Sequence, residues 1–262
     1  MVKRRIIVGV WKDKLMPTEA LKQANELVSM YKGKNLLFDA CIAPSPVALS
    51  AVNSITSNSS ISTVAQDVHW PDPKRSFIGS TSIPMLKEIG IKMCMVGHSE
   101  RRGYFGETDE DIYKKLSALI DADIFPILAI GDDVEVVSER KEILTRQLMG
   151  ALKPDSEKPI DISKIAIAYE PVWAISTWRS DAPLPIGTEV TEMMALVDSI
   201  LTETCKLNTS STPLLYGGSV APKNAEDYFS QSNVDGALVG GASLTVESLS
   251  TVFNIAQQIW GD

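Results

Sequence analysis

What most constrains the fold of this chain is a repeated alternation of two kinds of segment. Eight short apolar runs, at residues 6–11, 36–43, 62–68, 93–97, 125–131, 165–170, 214–218 and 237–241, punctuate the 262 residues. None alternates strictly between polar and apolar positions, as expected of strands buried on both faces of a parallel sheet. Most intervening segments carry helical periodicity instead, at residues 18–31, 109–122, 138–152, 189–207, 224–230 and 246–260. The first follows Pro17, and Thr108 stands where the second needs its N-cap. Strands alternating with helices imply right-handed βαβ units.

Eight such units leave two arrangements, a closed barrel or an open doubly wound sheet. No Gly-x-Gly-x-x-Gly follows the first run, which removes the main sign of a dinucleotide-binding open sheet. No Pro/Gly/Ser-rich linker divides the chain. The expectation is therefore an α/β protein with a single (β/α)8-barrel domain over residues 1–262, a length at which such barrels remain one domain.

Charge and cysteine usage narrow the function. A net charge of −8 argues against nucleic acid and anionic membrane as partners, since both attract a basic face. An anionic substrate would have to be held by local dipoles and one or two cations. Cys41, Cys94 and Cys205 are far apart and form no Cys-x-x-Cys pair or Cys/His cluster, so no metal is expected and buried reduced thiols are. The apolar stretch after the basic N-terminus is too short for a signal peptide, and no run reaches membrane-spanning length. These features point to the cytoplasm.

Barrel enzymes do their chemistry at the carboxyl ends of the strands. Reading only the run ends gives Lys12, Gln66, the segment Gly97-His98-Ser99-Glu100-Arg101-Arg102, Glu170, Gly217-Gly218-Ser219 and Gly240-Gly241. A Lys, a His and a Glu meeting on one rim form a catalytic constellation. Glycines after the last two strands let backbone N–H groups approach a phosphate. Of the two histidines, His69 lies in a loop-like stretch and suits a structural role. His98 precedes a polar segment that should open a helix, where the imidazolium is disfavoured and a neutral ring can donate to a carbonyl.

These residues carry a resemblance. Gly9-x-Trp11-Lys12, Ala65-Gln66-Asp67, residues 97–102 with Phe105-Gly106-Glu107, residues 169–175 (Tyr-Glu-Pro-Val-Trp-Ala-Ile), residues 216–220 (Tyr-Gly-Gly-Ser-Val) and residues 235–244 occur in that order. Together they resemble the triosephosphate isomerase family over essentially the whole chain. The resemblance implies Glu170 as the base that moves a proton between two adjacent carbons. It implies His98 as the electrophile, Lys12 as the cation facing substrate, and Glu100 as the partner of Lys12. Pro171, Val172, Trp173, Ala174, Ile175, Ser176 and Thr177 would form a lid. Ser176, Ser219, Gly240 and Gly241 would hold the phosphate of a small phosphorylated sugar, and no cofactor would be needed. A homodimer through the loop around Ile78 would also be expected.

The departures from the family pattern matter as much. Val10 stands where the family has an Asn that contacts substrate and bonds to a Thr of the partner subunit. At the position of that Thr this chain has Ile78, so a polar pair has become apolar on both sides. Residues 176–179, Ser-Thr-Trp-Arg, replace the family's Gly-Thr-Gly-Lys and remove two glycines from the lid. Three readings stay open at this point: interconversion of dihydroxyacetone phosphate and glyceraldehyde 3-phosphate, isomerisation of a four-carbon erythrulose phosphate, and an inactive barrel used for binding.

Overall fold

A computed structural model of the protein describes residues 3–71, 76–134, 136–175 and 184–261. Eight parallel strands, β1 (Ile6–Val10), β2 (Asp39–Ala43), β3 (Ile61–Ala65), β4 (Met93–Val96), β5 (Phe125–Asp132), β6 (Ala166–Pro171), β7 (Leu214–Tyr216) and β8 (Gly236–Val239), close into a barrel in sequence order. β1 completes the ring, since Ile6 is in register with Asp39 of β2 on one side and Gly236 of β8 on the other.

The barrel explains why the apolar runs do not alternate in polarity. The period-2 alternation of a strand here separates two apolar layers. Ile6, Val8 and Val10 point inward and meet Ala43, Met95 and Leu238 in a core inside the barrel. Ile7, Ile42, Leu128 and Tyr169 point outward into a second, larger core beneath the helices. Cys41, Cys94 and Cys205 are free and buried.

The helices are α1 (Pro17–Met30), α2 (Pro46–Thr56), α3 (Ile83–Glu88), α4 (Ser99–Phe105), α5 (Asp109–Asp121), α6 (Val137–Leu152), α7 (Gly187–Ser199), α8 (Ala225–Phe229) and α9 (Val246–Ile259), and the helical periodicities correspond to α1 and to α5 through α9. Thr108 caps α5 as expected. Its hydroxyl accepts the Asp111 N–H, and Asp111 accepts the Thr108 N–H in return. Residues 189–207, read as one helix, divide into α7 and a wider π-helical turn over Ile200–Thr204 that keeps Ile200 and Leu201 buried.

Sequence reading missed α2 and α3. The eleven residues of α2 include no charged side chain, so they present no polar stripe to mark a period, and α3 is only six residues long. Among the described residues, no helix is long and apolar enough to cross a membrane.

Candidate active site

The barrel gathers the polar run ends on one rim. Lys12 follows β1 with φ +51°, a left-handed conformation that a non-glycine residue adopts at a cost of about 1–3 kcal/mol. Gln66 offsets this cost. Its Nε2 donates to the Lys12 carbonyl and to the Ala43 carbonyl, both at 2.9 Å, and so pins the backbone beneath the ammonium group. Lys12 Nζ reaches Glu100 Oε1 at 2.6 Å. The Trp11 indole donates to the Ser243 carbonyl at 3.0 Å and ties the end of β1 to the turn after β8.

His98 is the N-cap of α4. Gly97 before it has φ +75°, and a Cβ there would lie 2.8 Å from the Ala129 carbonyl, so the approach to His98 requires glycine. His98 Nδ1 accepts the Glu100 backbone N–H at 3.2 Å. An acceptor at Nδ1 places the ring proton on Nε2, which lies 3.0 Å from Glu170 Oε1. The other carboxylate oxygen, Oε2, accepts the Ser99 N–H at 2.9 Å.

Glu170, one residue before the end of β6, is almost wholly buried, with 2% of its surface exposed. Burial acts to raise its pKa, yet His98 and the Ser99 hydrogen bonds outweigh it and hold the carboxyl below its usual range. His98 shows the reverse balance. Burial lowers its pKa, but the Glu170 charge and hydrogen bond override that and leave it above the ordinary imidazole value. The neutral ring expected from the helix terminus is thus opposed chiefly by the Glu170 carboxylate, with a smaller push from Glu100.

A cavity of about 560 Å³ opens above these groups, lined by Val10, Lys12, His98 and Glu170 together with Ser219, Gly240 and Gly241. Among the described residues, no atom lies within 4 Å of where a Cβ would stand on Gly240 or Gly241. Packing does not demand glycine there, and its effect is to leave the backbone N–H groups approachable. Ser219 Oγ donates to the Ala174 carbonyl at 2.9 Å, joining this wall to the end of β6.

The expected lid begins at Pro171, the last residue of β6. Val172, Trp173 and Ala174 form a 3₁₀ turn, and Ile175 reaches the cavity wall. Ser176 and Thr177 lie outside the described residues, as does Trp178. Val10 is buried where the barrel interior meets the cavity, whereas Ile78 is fully exposed. A second cavity of about 770 Å³ lies across Lys12 and His98 from the first, with Val10, Gln66, Tyr104 and Phe105 in its wall.

Several groups around the site escaped the sequence reading. Asp132, at the end of β5, accepts the Tyr169 hydroxyl at 2.8 Å and the Arg140 Nε–H at 3.3 Å. The Arg140 guanidinium lies 5.2 Å from the centre of the Trp173 ring, so this cluster braces the start of the lid. Lys115 joins Asp67 (2.6 Å) and Glu107 (2.8 Å), and Arg101 joins the same two carboxylates at 2.9 and 2.6 Å. That network braces the loop behind Glu100. The available signals were weak: Asp132 lies one residue past its apolar run, and Lys115 falls within a helix where lysine is unremarkable.

The sequence model described as triosephosphate isomerase matches residues 5–256. The triosephosphate isomerase of Thermoanaerobacter pseudethanolicus is 38% identical, with 97% of this chain and all of that protein aligned. That of Caldanaerobacter subterraneus subsp. tengcongensis is 36% identical over the same shares. The crystal structure of triosephosphate isomerase from Bartonella henselae superposes with a TM-score of 0.80 at 30% identity, covering 96% of this chain and 98% of that one. The chain belongs to the triosephosphate isomerase family of aldose–ketose isomerases.

Proposed function

We propose that this protein interconverts dihydroxyacetone phosphate and glyceraldehyde 3-phosphate by proton transfer through an enediolate, with Glu170 as the base. The observation that carries this reading is the convergence of buried Glu170, with His98 and Lys12, on a cavity that Ser219, Gly240 and Gly241 also line. A carboxylate held ionised by its neighbours can take a proton from the carbon beside a carbonyl and return it to the adjacent carbon. The His98 Nε2–H and the Lys12 ammonium can stabilise the negative charge that develops on the oxygens. Glu100 orients Lys12, and the Gly240 and Gly241 backbone receives the phosphate together with Ser219 and Ser176. Residues 171–177 act as the lid that excludes water from the enediolate.

Both Glu170 oxygens are engaged, with His98 and with Ser99. In the productive complex the carboxylate must leave His98 to face the reacting carbon. That movement removes the one neighbour that raises the His98 pKa most, and burial and the Lys12 charge then favour the neutral electrophile.

The protein acts as a homodimer in this reading, with the exposed loop around Ile78 entering the partner's cavity beside Val10. Exposed Ile78 and apolar Val10 support that pairing, because an apolar contact on both sides leaves no polar group unsatisfied. The buried free thiols support a cytoplasmic location, which recovery of the chain in an oxidising compartment would contradict. The test of substrate is kcat/KM measured side by side for the triose phosphates and for erythrulose phosphate. The triose phosphates should be preferred, and a higher value for the four-carbon sugar would overturn the assignment.

A further inference from the structure

The phosphate end of the cavity carries a cation that the reading above leaves unused. Among the described residues, two lysines line the cavity, Lys12 and Lys223. Lys12 is committed to the reacting end, 2.6 Å from Glu100. Lys223 lies on the loop after β7, four residues beyond Ser219, and among the described residues no carboxylate stands within ion-pair distance of it. Its exposed ammonium group is therefore available to the cavity mouth.

The loop that carries Lys223 is fixed relative to the phosphate wall. Its neighbour Asn224 accepts the Ala221 N–H at 2.8 Å and donates to the Ser219 carbonyl at 2.9 Å. Asn224 also donates to Tyr228 Oη at 3.2 Å, and Tyr228 donates to the Pro185 carbonyl at 2.6 Å. The Lys223 backbone is thus held against Ser219, and only its side chain needs to settle. The chain as a whole has a net charge of −8, which opposes approach of a dianion, so a local cation at the mouth has a definite task.

We propose that Lys223 is a positioning residue that draws a dianionic phosphate monoester onto the Ser219, Gly240 and Gly241 wall. The inference rests on the phosphorylated-sugar reading of the same cavity. It takes no part in proton transfer, so its signature is in binding and salt dependence, leaving the chemical step unchanged. Because the ammonium is exposed, its effect is modest and strongest at low ionic strength.

The experiment pairs two readouts on Lys223→Ala, Lys223→Arg and Lys223→Glu: calorimetric titration with inorganic phosphate, and steady-state kinetics with glyceraldehyde 3-phosphate. Lys32→Glu, an exposed lysine in the turn after α1 at the opposite rim, controls for total charge. In low salt, Lys223→Ala should weaken phosphate binding and raise KM by about three- to tenfold with kcat within about twofold. Lys223→Glu should do more, Lys223→Arg should restore most of the loss, and high salt should erase the differences. Phosphate affinity unchanged in Lys223→Ala and Lys223→Glu would overturn the proposal. So would an equal loss in Lys32→Glu, or a wild-type protein that does not bind phosphate. Weakened phosphate binding in a protein that does not isomerise triose phosphates would uphold Lys223 and refute the triose reading instead.

Discussion

Glu170 and His98 set each other's ionisation, and that coupling can be measured at a single residue. The ring is held above its ordinary pKa because the Glu170 carboxylate, with a smaller contribution from Glu100, outweighs burial and Lys12. Glu170→Gln removes the anion while keeping the side chain's size. Of the influences that remain, burial and the Lys12 charge favour the neutral ring and only the weaker Glu100 charge opposes them, so the His98 pKa should fall below the wild-type value. Titration of the imidazole resonances by NMR checks this, and an unchanged or higher pKa would contradict it. The sign for stability follows from the same direction. A raised imidazole pKa contributes stability that is present below the unfolded value near 6.5 and is lost as pH rises through the folded value. Glu170, His98 and Lys12 were legible in the sequence because each stands where an apolar run stops. Lys115 was not, since nothing near it in the chain reveals that it is 2% exposed and paired with Asp67. Its burial is a product of long-range packing.

Two elements meet at the start of the lid, the end of β5 and the end of β6. Asp132 and Tyr169 hold them together through the 2.8 Å hydrogen bond, and Arg140 from α6 covers both. Burial raises the Asp132 pKa, and the Tyr169 hydroxyl and Arg140 act against that rise. Asp132→Asn keeps the shape but leaves the Arg140 guanidinium buried beside a neutral amide. Breaking one half of a buried pair should cost about 3 kcal/mol of stability, readable as a lower denaturant midpoint. A midpoint equal to wild type would show that the cluster bears no such load. At this scale the sequence revealed all eight strands and six of the helices, because their periodicities are local, and it placed the start of α4 after His98. It hid α2, whose residues are apolar or small on every side, and it read α7 with its π turn as one helix. The switch in helical register at Ser199 leaves no mark in residue spacing.

The whole molecule is a closed barrel with its chemistry on one rim, and the apolar Ile78 stands fully in solvent. In the proposed homodimer that side chain would enter the partner's cavity lined by Val10, Tyr104 and Phe105. Ile78→Asp should convert a species of twice the 28.5 kDa chain mass into monomer in analytical ultracentrifugation. A dimer that survives the change would place the interface elsewhere. The substitution of Val10 and Ile78 for a polar pair was legible only against a family pattern, whereas the barrel itself followed from the rhythm of runs. Proton transfer by Glu170 is the claim on which the rest depends. It is tested most directly by running the isomerisation in deuterium oxide and following label into the reacting carbons by NMR. Wild-type protein should interconvert the two triose phosphates and place deuterium on those carbons, with Glu170→Gln slower in both by at least about a hundredfold. Wild-type rates of isomerisation and exchange in Glu170→Gln would contradict the account.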